Sequence, residues 1–479
     1  MADNFSKQFA KNLSWQAFTV LFRAIISIAT ISVLAHLAGP EVMGLFGLAW
    51  IGPTIAFALV QSGISQGLIL VEDIKPGHIA AATWLTFFVA VGLACIIAAA
   101  APFVAEIYQT PELAPATLIS AVVVPLMAMG VVDMARAQKN LDFRLIAKVQ
   151  TVAVFLCSVI AIGLAFFWKP IVGLISFQGL LGAAQFLVFR LNGVKAQSLR
   201  TSRHEIADIW YNGKQFILVS LSASVMLNTP QIVLGFFVTQ AELGYFNLGR
   251  RLIEIINNQI GGIANQVIFP SIAKIRHDLK MVASVYLKTS RLTAAVMMAP
   301  LVFLAVEPSD FLVLYAGPDW AAAGQTLFFL LLFQGGLSLG QNIFSVFQAT
   351  GKASLVWKWN LGVATLQAVL ILAYGRESSE AAAIVMAMSA PVTLLAAILL
   401  SRHIGFSMKT WSINMARVVL SAALIVFSVR LSGILDASAW GPLLKFLIHG
   451  SFAASLYVIL ISVLDPAIRY SILKRLKRH

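Results

Sequence analysis

"GYFNLGRRLIEIINNQIGGIANQVIFP", residues Gly244–Pro270, places two arginines (Arg250, Arg251), one acid (Glu254) and the amides Asn257, Asn258, Gln259, Asn265 and Gln266 in an otherwise oily run. Steps of three and four residues gather Arg250, Glu254, Asn257, Gly261 and Asn265 on one helical face. Arg251, Glu254, Asn258, Gly262 and Asn265 follow the same spacing. The surroundings of this stretch decide the fold class. The chain has 479 residues, of which 59% are hydrophobic and 11% charged, and its mean hydropathy is +0.87. Soluble domains carry about 25% charged residues. So much apolar surface cannot be hidden in a water-soluble chain of this length, so the sequence specifies an all-α integral membrane protein.

Apolar runs of about 20 residues, the length that crosses a bilayer, recur about fourteen times between Leu13 and Leu464. The net charge is +14, but the basic residues sit in short clusters between apolar runs. That is the pattern of cytoplasmic loops, and no nucleic-acid partner is expected. One side of the bundle receives Lys75, Arg136, Lys139, Arg190, Lys195, Lys274, Lys352, Arg402 and the tail "LKRLKRH", while the opposite loops receive only Lys169 and Arg376, with a few more basic residues at nearby helix ends. Both termini are therefore expected in the cytoplasm. Cys95 and Cys157 lie in separate apolar runs and read as packing residues. The first run is longer than the apolar part of a cleaved signal and reads as a retained helix. No Walker A loop, metal-ligand spacing or nucleophile elbow occurs, so no cofactor, metal or catalytic centre is expected.

"GLFGLAW" (Gly44–Trp50) aligns with "GYFNLGR" (Gly244–Arg250) at an offset of 200 residues, and Gln66 then meets Gln266. The match pairs the second span with the eighth and predicts repeated six-helix halves, the usual build of alternating-access transporters. Polar stripes add to this picture. They run through Gln16, Thr19, Arg23, Ser27 and Thr30 in the first span, and through Thr54, Gln61 and Ser65 in the second. They recur at Ser220, Ser224, Asn228 and Gln231 in the seventh, and at Gln334, Ser338, Gln341, Ser345 and Gln348 in the tenth. Lipid cannot solvate such faces, so they point at other helices or at water. Interhelical hydrogen bonds explain any one stripe; a shared hydrated cavity explains all of them. Arg23 lies twelve residues past Lys11, about 18 Å along a helix and near mid-membrane. Two readings stand for it: a buried salt bridge with Glu254 or Asp133, or a cationic site for phosphate or carboxylate.

The segments "LAHLAGPEVMGLFGLA" (Leu34–Ala49), "QSGISQGLI" (Gln61–Ile69), "RAQKNLDFRLIAKVQ" (Arg136–Gln150) and "LGYFNLGRRL" with its closing "FP" resemble the polysaccharide transport branch of the multidrug/oligosaccharidyl-lipid/polysaccharide exporter superfamily. That branch holds the Wzx-type flippases and exopolysaccharide exporters. The resemblance implies two pseudo-symmetric six-helix lobes, residues 1–200 and 201–403, in a V around a central cavity, with two appended helices and a basic tail over 404–479. It implies alternating-access transfer of an undecaprenyl-diphosphate-linked oligosaccharide across a bacterial inner membrane, without catalysis. A polysaccharide polymerase and export machinery are implied partners. In related lipid II flippases, arginines on the first and eighth helices line the cavity. The expected substrate-binding set is accordingly Arg23, Gln61, Asn228, Arg250, Arg251, Glu254, Asn257, Asn258, Gln334, Ser338 and Gln341. The alternatives are a multidrug cation antiporter of the same fold, whose pocket would favour acids, and a membrane polymerase or ligase, which would carry a large exoplasmic loop.

Overall fold

A computed structural model describes residues 2–71, 73–140, 142–194, 200–261, 275–431 and 441–464, together with Ile268 and Ile272. The described residues form helices and turns with no strand. Their ends follow helix chemistry. Proline opens α4 (Pro76–Ile107) and α8 (Pro170–Gly179), where no backbone N–H is needed. The Asp142 carboxylate accepts from the Leu145 N–H and caps α7 (Phe143–Phe167). Ser202 and Glu205 form a reciprocal capping box on α10 (Arg203–Leu234).

Among the described residues, eleven helices are long and apolar enough to cross a membrane, or twelve if the bent pair α8 and α9 (Leu181–Leu191) counts as one span. The expected fourteen is not confirmed among these residues, and the difference falls at two places. The first two expected spans run on as one 49-residue stretch, Phe22–Leu70. Helix α1 (Ala2–Ala49) is broken within it at Gly39, whose φ of 70° suits glycine, with Pro40 next. The eighth expected span continues from α11 (Gln240–Ile256) into residues 262–267, which lie outside the described set, as do Gly262, Asn265, Gln266 and the "LKRLKRH" tail.

The chain divides into two compact units. The first holds Met1–Gly244 and Trp357–Thr365. Its core is Val60, Leu68, Ala82, Val124, Ala135 and Ile209, contributed by α2 (Ile51–Val60), α3 (Gln66–Leu70), α4, α5 (Leu113–Ala128), α6 (Val131–Lys139) and α10. Helix α10 packs closely on the second span. A Cβ on Gly213 would lie 1.9 Å from the Gly63 carbonyl oxygen, and one on Gly67 would lie 2.4 Å from that of Ile209. "GISQG" is therefore a close-packing motif.

The 200-residue repeat has a physical counterpart inside this unit. A Cβ on Gly44 would sit 2.0 Å from the Gln240 carbonyl oxygen, and one on Gly244 would sit 1.9 Å from that of Pro40. Positions 40 and 44 thus meet positions 244 and 240 reciprocally, as a local two-fold axis requires. Only glycine allows both approaches.

The second unit holds Tyr245–Val356 and Leu366–His479. Helix α12 (Leu279–Ala305) is its hub. It packs on α14 (Gly324–Ser338), α19 (Met408–Leu431) and α20 (Pro442–Leu464). Tyr457 on α20 is buried and donates its hydroxyl to the Ala295 carbonyl at 3.2 Å. Lys445 on the same helix bridges Glu307 at 3.2 Å and Asp310 at 2.9 Å, next to His449 on Glu307 at 2.9 Å. The last two helices therefore belong to the packed body of this unit.

Candidate functional site

Arg23 lies half-buried on α1, and its guanidinium donates to the Gln150 side-chain oxygen on α7. Two turns on, the Thr30 hydroxyl donates to that of Ser158 at 2.8 Å. The first-span stripe is thus partly a hydrogen-bonded seam against α7. The side chain of Gln16 lies outside the described residues. The salt-bridge reading of Arg23 is corrected by these partners. Asp133 is held by Arg136 at 3.2 Å and Arg190 at 2.8 Å, and Glu254 is held by Arg250 and Arg251. An amide satisfies one donor of Arg23 but leaves its charge uncompensated. Its Nε is buried and makes no hydrogen bond.

The second span is interrupted by a π turn, Gln61–Ser65, and α11 runs into another, Asn257–Gly261. Each follows one of the paired glycine motifs, after Gly44 and Gly244. A π turn breaks the regular hydrogen-bond ladder and widens the helix, and such turns are frequent at functional sites. Gln61 and Asn258 are exposed in their respective turns. Asn257 accepts a hydrogen bond from the Gln341 amide at 3.0 Å. Gly261 lies beneath this pair, and a Cβ there would come within 2.5 Å of Gln341 Nε2. One turn earlier, Arg250 reaches Glu254 Oε1 and Arg251 reaches Oε2, each at 3.0 Å. Two guanidinium groups share this one carboxylate, and the Glu254 side chain is 32% exposed.

Three expected residues depart from a hydrated stripe. Gln334 and Ser338 on α14 are buried, and the Ser338 hydroxyl donates to the Gly335 carbonyl at 2.6 Å. Asn228 is buried and its amide donates to the Ser224 carbonyl at 2.8 Å. The tenth span breaks at residues 339–342 before α15 (Ile343–Ala349), so Gln341 no longer shares a face with Ser338. Several polar partners were not singled out from sequence. Gln150 is one. Asn360, whose amide lies 3.1 Å from the Ser222 hydroxyl, and Asn342, 3.3 Å from that of Thr293, are others. Each was visible only as a polar residue within an apolar run.

Long apolar helices, polar π turns and arginine-bearing helix faces define a multi-pass membrane protein. The chain belongs to the polysaccharide biosynthesis protein family, whose sequence pattern matches residues 33–324. It is 23% identical to the teichuronic acid biosynthesis protein TuaB of Bacillus subtilis (strain 168), over 77% of each chain. It is 23% identical to the lipopolysaccharide biosynthesis protein WzxC of Escherichia coli (strain K12), over 72% of this chain and 71% of that one. It is 22% identical to the succinoglycan biosynthesis transport protein ExoT of Rhizobium meliloti (strain 1021), over 77% and 75%. Among solved structures, the inward closed form of the lipid II flippase MurJ superposes with a TM-score of 0.71 at 13% identity, covering 95% of this chain and 98% of that one. An inward-facing multidrug resistance transporter of the MATE family gives 0.58 at 16% identity, over 81% and 98%. The family read from the sequence motifs is borne out, and the fold is that of these transporters.

Proposed function

We propose that the protein is an alternating-access flippase that moves an undecaprenyl-diphosphate-linked oligosaccharide, a repeat unit of a surface or exported polysaccharide, across a bacterial inner membrane with both termini in the cytoplasm. The observation that carries this reading is the guanidinium that α1 places in a polar helix face without an acidic partner. Arg23 pairs with an amide and not an acid, and α11 adds Arg250 and Arg251, which both reach Glu254. A cationic guanidinium inside a membrane helix is costly and suits a bidentate anion such as a diphosphate. The amides of Gln61, Asn257, Asn258 and Gln341 would take sugar hydroxyl groups. An organic-cation antiporter is less well supported, because Glu254 is already engaged by two arginines.

The test is reconstitution in liposomes with a labelled undecaprenyl-diphosphate oligosaccharide. The label should change leaflets with its mass unaltered. Arg23→Gln should remain inserted and folded yet slow transfer, and Arg23→Lys should recover part of it, since lysine keeps the charge but loses the fork. A change in product mass would indicate an enzyme. Normal transfer by Arg23→Gln would remove the cationic-site argument.

A further inference from the structure

The first unit contains a cavity of about 270 Å³ among α4, α5, α6 and α9 that the transport reading does not use. At one end stands an ionic group. Asp133 is 4% exposed and receives Arg136 from its own helix and Arg190 from α9. Arg190 also donates to the Val194 carbonyl at 2.6 Å and stacks on Phe186 at 4.5 Å, yet its Nε is buried with no hydrogen-bond partner. Two arginines against one carboxylate leave one net positive charge. Thr86 lines the cavity, is 5% exposed, and its hydroxyl has no partner. A buried donor without an acceptor is costly, so two unmatched donors in one cup point to a ligand that supplies acceptors. The rest of the lining is apolar. It includes Phe87 and Met129, large apolar side chains that are 51% and 42% exposed. Both arginines occupy the last turns of their helices, before the basic loops, the depth at which arginine reaches the headgroup layer.

We propose that this cup holds the phosphate headgroup of an anionic membrane lipid, with its acyl region laid along Phe87 and Met129. The phosphate oxygens accept from Arg190 Nε and the Thr86 hydroxyl and neutralise the surplus charge, while the apolar wall selects a lipid over a soluble anion. The site is separate from Arg23, Arg250 and Arg251, and its readout is binding and not transport.

The experiment is native mass spectrometry of the full chain in neutral detergent, titrated with phosphatidylglycerol, phosphatidylcholine or inorganic phosphate. The wild type should retain phosphatidylglycerol at least roughly tenfold more tightly than phosphatidylcholine, because choline already balances the phosphate of the latter and leaves the surplus charge of the cup unneutralised. It should not retain inorganic phosphate. Thr86→Leu fills the cup without touching the ionic group; it should stay folded and lose most of the preference. Asp133→Asn removes the competing carboxylate and should tighten phosphatidylglycerol. Arg190→Gln alone strands Asp133, so the double variant Arg190→Gln/Asp133→Asn, which removes both charges, should abolish the preference while remaining folded. Equal retention of the two lipids overturns the proposal. So does a preference that survives both Thr86→Leu and the double variant, which would indicate a general basic surface. Retention of inorganic phosphate at equal concentration would overturn the lipid assignment.

Discussion

Gly44→Ala is the sharpest perturbation the fold offers. The added Cβ would lie 2.0 Å from the Gln240 carbonyl oxygen, against about 3.4 Å for ordinary contact, so the two segments must part by about 1.4 Å. The clashing atom is backbone and cannot rotate away. Overpacking a tight contact costs about 1–3 kcal/mol, and a backbone partner places this case at the upper end. Alanine returns part of that, up to about 1 kcal/mol, because it is a better helix former than glycine. The net expectation is a loss of about 2 kcal/mol. Gly244→Ala meets the Pro40 carbonyl at 1.9 Å and should cost as much. The two contacts are reciprocal, so once one alanine has parted the segments the second meets less resistance. The double variant should therefore lose clearly less than the sum of the singles. The assay is the fraction of protein that stays monodisperse in detergent after graded heating. Gly92→Ala is the control, since Gly92 lies in α4 with nothing within 4 Å of its added Cβ, and it should be neutral or slightly stabilising. If Gly44→Ala behaves like Gly92→Ala, or if the two alanines add fully, the reciprocal crossing is refuted.

Glu254→Gln leaves Arg250 and Arg251 without their shared carboxylate. With the carboxylate one-third exposed the loss should be roughly 2 kcal/mol, below the 3–5 kcal/mol of a fully buried pair, and adding Arg250→Gln should restore much of it; unchanged thermal stability of Glu254→Gln would contradict the geometry. A double-mutant cycle over Asn257→Ala and Gln341→Ala should return a coupling of about 0.6 kcal/mol, and a value near zero would mean that the 3.0 Å bond contributes nothing. The Glu205 carboxylate accepts from the Ser202 backbone N–H at 2.7 Å and from its hydroxyl at 2.9 Å, and the backbone bond foremost holds its pKa below the usual glutamate range. A depressed carboxylate stabilises the fold above its unfolded value, roughly 4.3, and that contribution fades as pH falls through the folded value. Glu205→Gln should thus be less heat-stable than wild type at pH 7, with the gap closing below pH 4; a gap independent of pH would exclude this role.

The helical membrane class was legible because the length of an apolar run is fixed by bilayer thickness and survives any detail of packing. The repeat was legible because Gly44 and Gly244 are held by backbone approaches that no other residue allows. The candidate site was read less completely, for definable reasons. Stripe counting assumes an unbroken 3.6-residue period. The π turns at Gln61–Ser65 and Asn257–Gly261 shift that period, and the break at residues 339–342 resets it, so Gln341 leaves Ser338 and meets Asn257. Stripe counting also treats all polar side chains alike, and they are not alike. Short ones satisfy themselves on their own helix, as Ser338 does on Gly335, Asn228 on Ser224 and Thr54 on Trp50. A short side chain bonded to its own helix therefore carries little information about a cavity. The long side chains behave differently here: the Arg23 guanidinium bonds Gln150 on another helix, and the Gln341 amide bonds Asn257. The partners of Arg23 and Gln341 lie 127 and 84 residues away, beyond the reach of any local pattern.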